Sequence, residues 1–216
     1  MQHESDIQKK EDRDFLNDPD AEDIFAKLDY ALKDGVHIQG LLTQSSLFRF
    51  INKHYGGLKL YYQKFYGVNL EKGGEDVTSY YYLDFSPQSR GNIHPNHRYF
   101  MQNEYVIIGF LLYKIIYIDM NIELNSVKKL QKIIRQDYED LKPGIYRTLA
   151  KVQRDRPNPM DDEKVDKIII DALQEFNKIA WITLVDDHFE VLSSFQRINR
   201  IYMDYINNLD SWLLQN

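Results

Sequence analysis

Few residues in this chain have the types and spacing that chemistry needs. His94-Pro95-Asn96-His97 sets two imidazoles three positions apart. On a helix that pair could hold a metal, but Pro95 makes the stretch a loop and no carboxylate or third ligand lies near it in sequence. Asp161-Asp162-Glu163-Lys164 carries the acids and the lysine of metal-dependent nuclease chemistry. Such sites draw their acids from separate strands. These acids share the first turn of one helix, where carboxylates favour the helix dipole. The chain has no cysteine and no GxSxG, so no covalent nucleophile set is visible, and it has no Walker-type loop for ATP. The sequence therefore predicts no enzyme, no metal and no cofactor.

What remains is charge. Residues 35–70 contain Arg49, Lys53, Lys59 and Lys64 and no acid, with Phe48, Phe50, Tyr55, Tyr61, Tyr62, Phe65 and Tyr66 between them. Residues 126–156 carry nine bases against four acids. Lys128, Lys129, Lys132 and Arg135 belong to this stretch, and the i, i+4 and i+3 steps put Lys128, Lys132 and Arg135 on one helix face. Both stretches suit contact with phosphates. The competing reading is a set of core aromatics beside solvated lysine faces.

The net charge of −6 is concentrated in residues 1–24, which hold nine acids against three bases, so the remainder is balanced. The acidic tail thus does not argue against an anionic partner for the body. Residues 1–17 have no apolar stripe. They read as a disordered acidic tail that folding can do without. The N-terminus lacks an apolar h-region. The most apolar run, Val106 to Ile118, has 13 residues and includes Lys114. It falls short of the roughly 20 that a membrane span needs, so a buried helix is expected and no membrane partner. The absence of cysteine fits a reducing compartment.

These residues must be positioned by a regular series of elements. Asp18-Pro19 opens a helix that Gly35 ends. Val36-His37-Ile38 is a short strand. A helix with Leu47, Phe48, Ile51 and Tyr55 on one side follows, capped by Thr43 or Ser45, and Gly56-Gly57 break it. Leu58–Tyr66 is a further helix. It runs into a hairpin that reverses over Glu71-Lys72-Gly73-Gly74-Glu75-Asp76 and ends at Phe85. Ser86 to His97 is a linker. A long apolar helix from Gln102 to Asp119, a short strand Asn121–Leu124 and a helix capped by Ser126 come next. Lys142-Pro143-Gly144 interrupts before a helix from Ile145 to Arg154. Helix Lys164–Asn177 then leads into a second hairpin that reverses at Asp186-Asp187. A closing helix, Ser194 to Leu213, places Phe195, Ile198, Ile201, Tyr202, Tyr205 and Leu209 on one stripe. A helix running into a hairpin is the end of a winged-helix domain. The predicted fold is therefore α+β and mostly helical: tandem winged-helix domains over 18–98 and 99–216, each with a small β-hairpin wing, after a tail over 1–17.

This order resembles the MukE/MksE family, the kleisin-associated tandem winged-helix subunits of bacterial condensin-like complexes. The resemblance is carried by Gly35-Val36-His37-Ile38, by Leu47-Phe48-Arg49-Phe50-Ile51 with Tyr55, and by Tyr80-Tyr81-Tyr82-Leu83-Asp84-Phe85 with Ser86-Pro87-Gln88-Ser89-Arg90-Gly91. Glu104-Tyr105-Val106-Ile107-Ile108-Gly109 completes it. It implies a non-catalytic subunit that dimerises and binds a kleisin (MukF/MksF-like), and through it an SMC ATPase (MukB/MksB-like). It also implies a cytoplasmic, nucleoid-associated role in chromosome condensation, segregation or plasmid defence. DNA contact is expected to be weak and non-specific, through Arg49, Lys53, Lys59, Lys64, Lys128, Lys129, Lys132 and Arg135. The alternative is a winged-helix transcription regulator, which would need base-reading side chains. Leu58–Tyr66 offers Gln63 and two lysines among aromatics.

Overall fold

The structure is a computed structural model and describes residues 14–85, 91–97, 99–152 and 160–215. The chain divides into two compact units, Met1–Tyr99 and Phe100–Asn216. Both are mostly helical with small antiparallel hairpins, an α+β construction.

In the first unit, helix α1 (Ala21–Lys33) ends where Gly35 takes φ +83, a left-handed conformation that a glycine adopts without strain. Strand β1 (Ile38–Gln39) follows, beginning two residues later than the triplet Val36-His37-Ile38 suggested. Helix α2 (Ser45–Lys53) is entered from a 3₁₀ turn, and neither Thr43 nor Ser45 caps it; Gln44 stands at the cap. The helix breaks at His54, not at the glycines. Gly56 and Gly57 lie inside α3 (Tyr55–Tyr61), which continues as a π-helical turn over Tyr62–Tyr66. Two helical glycines cost about 1 kcal/mol each. Burial of Leu58 and Tyr62, both fully enclosed, offsets that cost.

Strands β2 (Asn69–Gly73) and β3 (Tyr80–Asp84) form the hairpin. Glu71, Lys72 and Gly73 belong to β2, so the reversal lies after them, through the 3₁₀ turn Asp76–Thr78. The sheet order is β1-β3-β2, with Ile38 opposite Tyr81 and Leu70 opposite Leu83. β3 is the central strand, and Tyr80, Tyr81, Tyr82 and Leu83 are all buried. Tyr81 joins the main core with Leu28, Leu32, Ile51, Leu58 and Leu70. Its hydroxyl donates to Asn52 Oδ1 at 2.8 Å. On the buried side occupied by His37, that ring stacks against Tyr82 with centroids 5.5 Å apart. The buried Tyr81 hydroxyl thus finds a polar partner, which is what makes its burial tolerable.

Two boundaries move outward from the sequence reading. Residues Asp14–Asn17, expected in the tail, form a 3₁₀ turn, and Phe15 is buried in the core against Phe25 and Tyr61. Asp18 secures this entry. Its carboxylate lies 2.7 Å from Lys53 Nζ and 2.6 Å from His54 Nε2, and it accepts the Asp20 N–H at 2.9 Å. At the other end, Ile93 of the expected linker is buried in the same core, and Asn92 N–H donates to Tyr66 O. Ser86 to Arg90 lie outside the described residues, as do residues 1–13.

In the second unit, α4 (Asn103–Tyr113) is apolar on all sides, and Ile107 to Leu112 are buried without interruption. It ends in a π-helical turn, Lys114–Ile118. Helices α7 (Asp162–Lys178) and α8 (Gln196–Asn207) pack on it, and a Cβ at Gly109 would strike Ile198 and Phe176. The expected strand Asn121–Leu124 is a turn. The extended position falls instead on Ser126, which bridges to His188. Helix α5 (Val127–Lys132) has Ser126 as its cap and runs into a π-helical turn, Ile133–Asp137. Helix α6 (Lys142–Val152) begins at Lys142, so Pro143 sits in its first turn, where its missing N–H costs nothing. Strands β4 (Ile182–Val185) and β5 (His188–Val191) turn through Asp186 at φ +52. α8 is kinked at Tyr202 and followed by α9 (Leu209–Gln215). Ile206 is buried, whereas Ile201 and Tyr205 of the expected stripe are 50% and 60% exposed.

Two stability measurements check the new N-terminal boundary. Phe15→Ala should lower the unfolding free energy by about 3 kcal/mol, and deletion through Asn17 should lower the melting temperature by several degrees where the sequence reading expects almost none. The ion pair and hydrogen bonds to Lys53, Asp20 and His54 hold the Asp18 carboxyl well below the usual carboxylate range. A depressed folded-state pKa gives stability that is present above about pH 4 and fades as pH falls below it. Thermal unfolding from pH 7 to pH 2 should therefore show a decline below pH 4 that Asp18→Asn reduces.

Candidate functional site

The cations expected to meet an anionic partner divide once the fold places them. In the first unit, Lys53 is held by Asp18 at 2.7 Å, and Lys59 faces Glu71 at 3.7 Å across the start of the hairpin. Both carboxylates come from outside the acid-free stretch 35–70, so the local count could not reveal them. Arg49 on α2 and Lys64 on the π-helical turn are exposed, and neither makes an ion pair among the described residues. Lys64 Nζ lies 5.9 Å from the ring centroid of Phe65, itself 57% exposed, and Leu60 one turn earlier is 42% exposed. The surface of the helix before the first hairpin is therefore mixed: one cation, Gln63 and two apolar side chains.

In the second unit, Arg135 is taken by Asp166 at 3.3 Å. One carboxylate oxygen of Asp166 is buried without a partner, and burial pushes this carboxyl up against the opposing pull of Arg135. Lys128, Lys129 and Lys132 are exposed on α5 and make no ion pair among the described residues. Arg154 and Arg156 of the same basic stretch lie outside the described residues. The N-terminus of α5 is already satisfied. Asp187, from the hairpin turn, accepts from Ser126 Oγ at 2.7 Å and from Lys128 N–H at 3.0 Å. These bonds hold the Asp187 carboxyl below its ordinary range.

The acids that resembled a nuclease set have other duties. Asp161 caps α7 by accepting Lys164 N–H at 2.9 Å. Asp162 accepts from Tyr146 and Lys142, at 2.7 and 2.9 Å. His97 faces Asp34 at 3.5 Å, and His94 accepts the Asn96 N–H. Among the described residues no group of three or more His, Asp or Glu is placed to hold a metal ion, and no helix is long and apolar enough to cross a membrane.

Sequence reasoning missed a cluster around Lys114. This lysine, noted only as an interruption of the apolar run, is buried and reaches Asp119 at 2.8 Å and Asp210 at 3.3 Å. Burial opposes its charge, but the two carboxylates outweigh that and hold its pKa above the ordinary value. Tyr138 also donates to Asp119. The next residues, Met120 and Ile122, stand exposed beside a cavity of about 230 Å³ lined by residues of 121–124 and α5 with its π-helical turn. The signal present in the sequence was Asp119-Met120-Asn121, a turn-forming composition that does not fit the neighbouring strand reading.

No curated protein matches the chain. The family model described as condensin complex protein MksE matches residues 23–198, which spans both units and all of the cation-bearing elements discussed above. The chain belongs to the MksE family of condensin complex proteins.

Proposed function

We propose that both units are winged-helix domains, and that the protein is a non-catalytic subunit which binds the kleisin of a condensin-like SMC complex and touches DNA weakly. The observation that carries this reading is a repeated topology within a chain of the condensin family. In each unit a helix, an extended segment, further helices and a hairpin follow in order, and the extended segment pairs with the second hairpin strand. That is the strand arrangement a winged helix requires. Assembly with a kleisin, and through it with an SMC ATPase, suits a protein rich in exposed apolar and aromatic side chains without a metal-holding cluster among the described residues. The proposal extends to a homodimer in the cytoplasm at the nucleoid, acting in chromosome condensation, segregation or plasmid defence.

Direct DNA contact is assigned to Arg49 and Lys64, with Lys53 and Lys59 adding less because carboxylates already hold them. Lys129 and Lys132 of α5 share a cavity lining with Glu123 and Asp137, so the carboxylates there weaken the case for a phosphate contact. The transcription-regulator reading is disfavoured by α7, the helix before the second hairpin, which holds five acids against three bases. A recognition helix of that balance repels the phosphate backbone.

Calorimetry should detect a one-to-one complex per protomer with the kleisin-type subunit, and light scattering should report a dimer; a strictly monomeric protein that does not bind the kleisin would sink the proposal. For DNA, Arg49→Glu combined with Lys64→Glu should weaken binding to two unrelated duplexes by the same factor. It should also lower the slope of log affinity against log salt by about 2, given roughly 0.9 per phosphate contact. A thousandfold preference of the wild type for one duplex would favour the regulator instead.

A further inference from the structure

Helix α9 is held on the second unit by few contacts. It packs on α6, and its buried residues are Leu209 and Leu213. Asp210, Ser211, Leu214 and Gln215 are exposed. A helix of 7 residues has almost no stability of its own, so its place depends on this docking. The seat is close: a Cβ on Gly144 of α6 would strike Leu213 O, so the glycine is what admits the backbone of α9. The approach to α9 is jointed. Tyr202 inside α8 and Asn208 at its end both leave helical geometry, at φ −126 and φ −107. All of α9 lies outside residues 23–198, the span that matches the family model.

Its ion pair is built so that it can be given up. Asp210 meets Lys114 Nζ at 3.3 Å. The same nitrogen is held more closely by Asp119, at 2.8 Å, and lies 5.4 Å from the centroid of the Tyr138 ring. Departure of α9 therefore removes one of two carboxylates and leaves the buried cation paired, which avoids the penalty of an uncompensated charge. The Asp210 side chain is 52% exposed and is rehydrated readily. A second group opposes closure. Thr148 lies one turn beyond Gly144 on the same side of α6. It is 3% exposed, and its hydroxyl is buried without a hydrogen-bond partner. A helical threonine can bond the carbonyl four residues back, but this one does not. An enclosed, unpaired hydroxyl carries a desolvation penalty that contact with water removes.

We propose that α9 is a strap. It closes over the Gly144–Thr148 side of α6, is latched by Asp210 on Lys114, and lifts as a unit while the rest of the second unit stays folded. Two leucines and a shared ion pair hold it down, and the Thr148 hydroxyl favours its release.

The test is native-state hydrogen exchange on the full-length protein, with the amides of α9 compared with those of the core helix α7. In the wild type the α9 amides should exchange together and on the order of a hundredfold faster than the buried α7 amides. Ile169→Val in α7 should speed α7 exchange about fivefold and leave α9 exchange unchanged, because the lifted state keeps that core. Asp210→Asn should speed α9 exchange about fivefold. Thr148→Val, which removes the hydroxyl at nearly constant shape, should slow it by a similar factor. If Ile169→Val speeds both helices equally, α9 opens only when the whole unit unfolds and the strap is overturned. Protection that fades gradually from Gln215 inward and responds to neither Asp210→Asn nor Thr148→Val is simple fraying of a helix end, and overturns it as well.

Discussion

Each unit is closed by a backbone pairing between the second strand of its hairpin and an extended segment from the other end of the unit's helices. In the first unit Ile38–Gln39 adds to β3 opposite Tyr81 and Tyr80, turning an edge strand into a central one. Unpaired strand edges expose a row of unsatisfied N–H and C=O groups. Covering this one lets four consecutive side chains of β3 be buried, Tyr81 and Leu83 among the core residues. In the second unit the pairing shrinks to a single bridge, Ser126 to His188, reinforced by Phe189 N–H to Asn125 O and Val127 N–H to Asp187 O. Asp187 then ties the hairpin to the first turn of α5 through Ser126 and Lys128. The second unit thus replaces strand length with a capping carboxylate.

A second principle of the molecule is that charge is neutralised over long separations in the chain. Asp18 answers Lys53 and His54, Arg135 answers Asp166, and Asp210 joins Asp119 on the buried Lys114. Pairs of this kind are costly to break when one member is buried, because the other is left without compensation. They also decide which cations remain available to a partner. Of the eight basic residues singled out from the sequence, Lys53, Lys59 and Arg135 are held by carboxylates, whereas Arg49, Lys64, Lys128, Lys129 and Lys132 make no ion pair among the described residues.

For this member of a condensin complex family, the function proposed above places the working parts on its surfaces. The carboxylates that might have suggested hydrolysis are helix caps and hydrogen-bond acceptors for Tyr146 and Lys142. Three π-helical turns, each ending an α-helix, shift the faces that follow them. Such turns are rare and frequent at functional sites. Two of them flank the exposed turn at residues 118–122 and its cavity, through Asp119 and Tyr138.

The sequence by itself determined the elements that obey a local rule. The apolar periodicity of α7, the Ser126 cap, the two-residue reversal at Asp186-Asp187 and the buried character of α4 were all legible, because propensity, capping and hydrophobic period act within a few residues. The short motifs that suggested the MksE family rested on the same local signals. Tertiary structure alone decided the rest. Gly56-Gly57 stayed helical because Leu58 and Tyr62 are buried there, and Phe15 was drawn out of the supposed tail by Phe25 and Tyr61. The strand expected at Asn121–Leu124 became a turn because its neighbours are fixed by Lys114 and Asp119. The candidate surface was hidden for the same reason. Whether a lysine is available, or an isoleucine exposed, depends on carboxylates and helices that reach it from tens of residues away, and no local count of charge or hydrophobicity contains them.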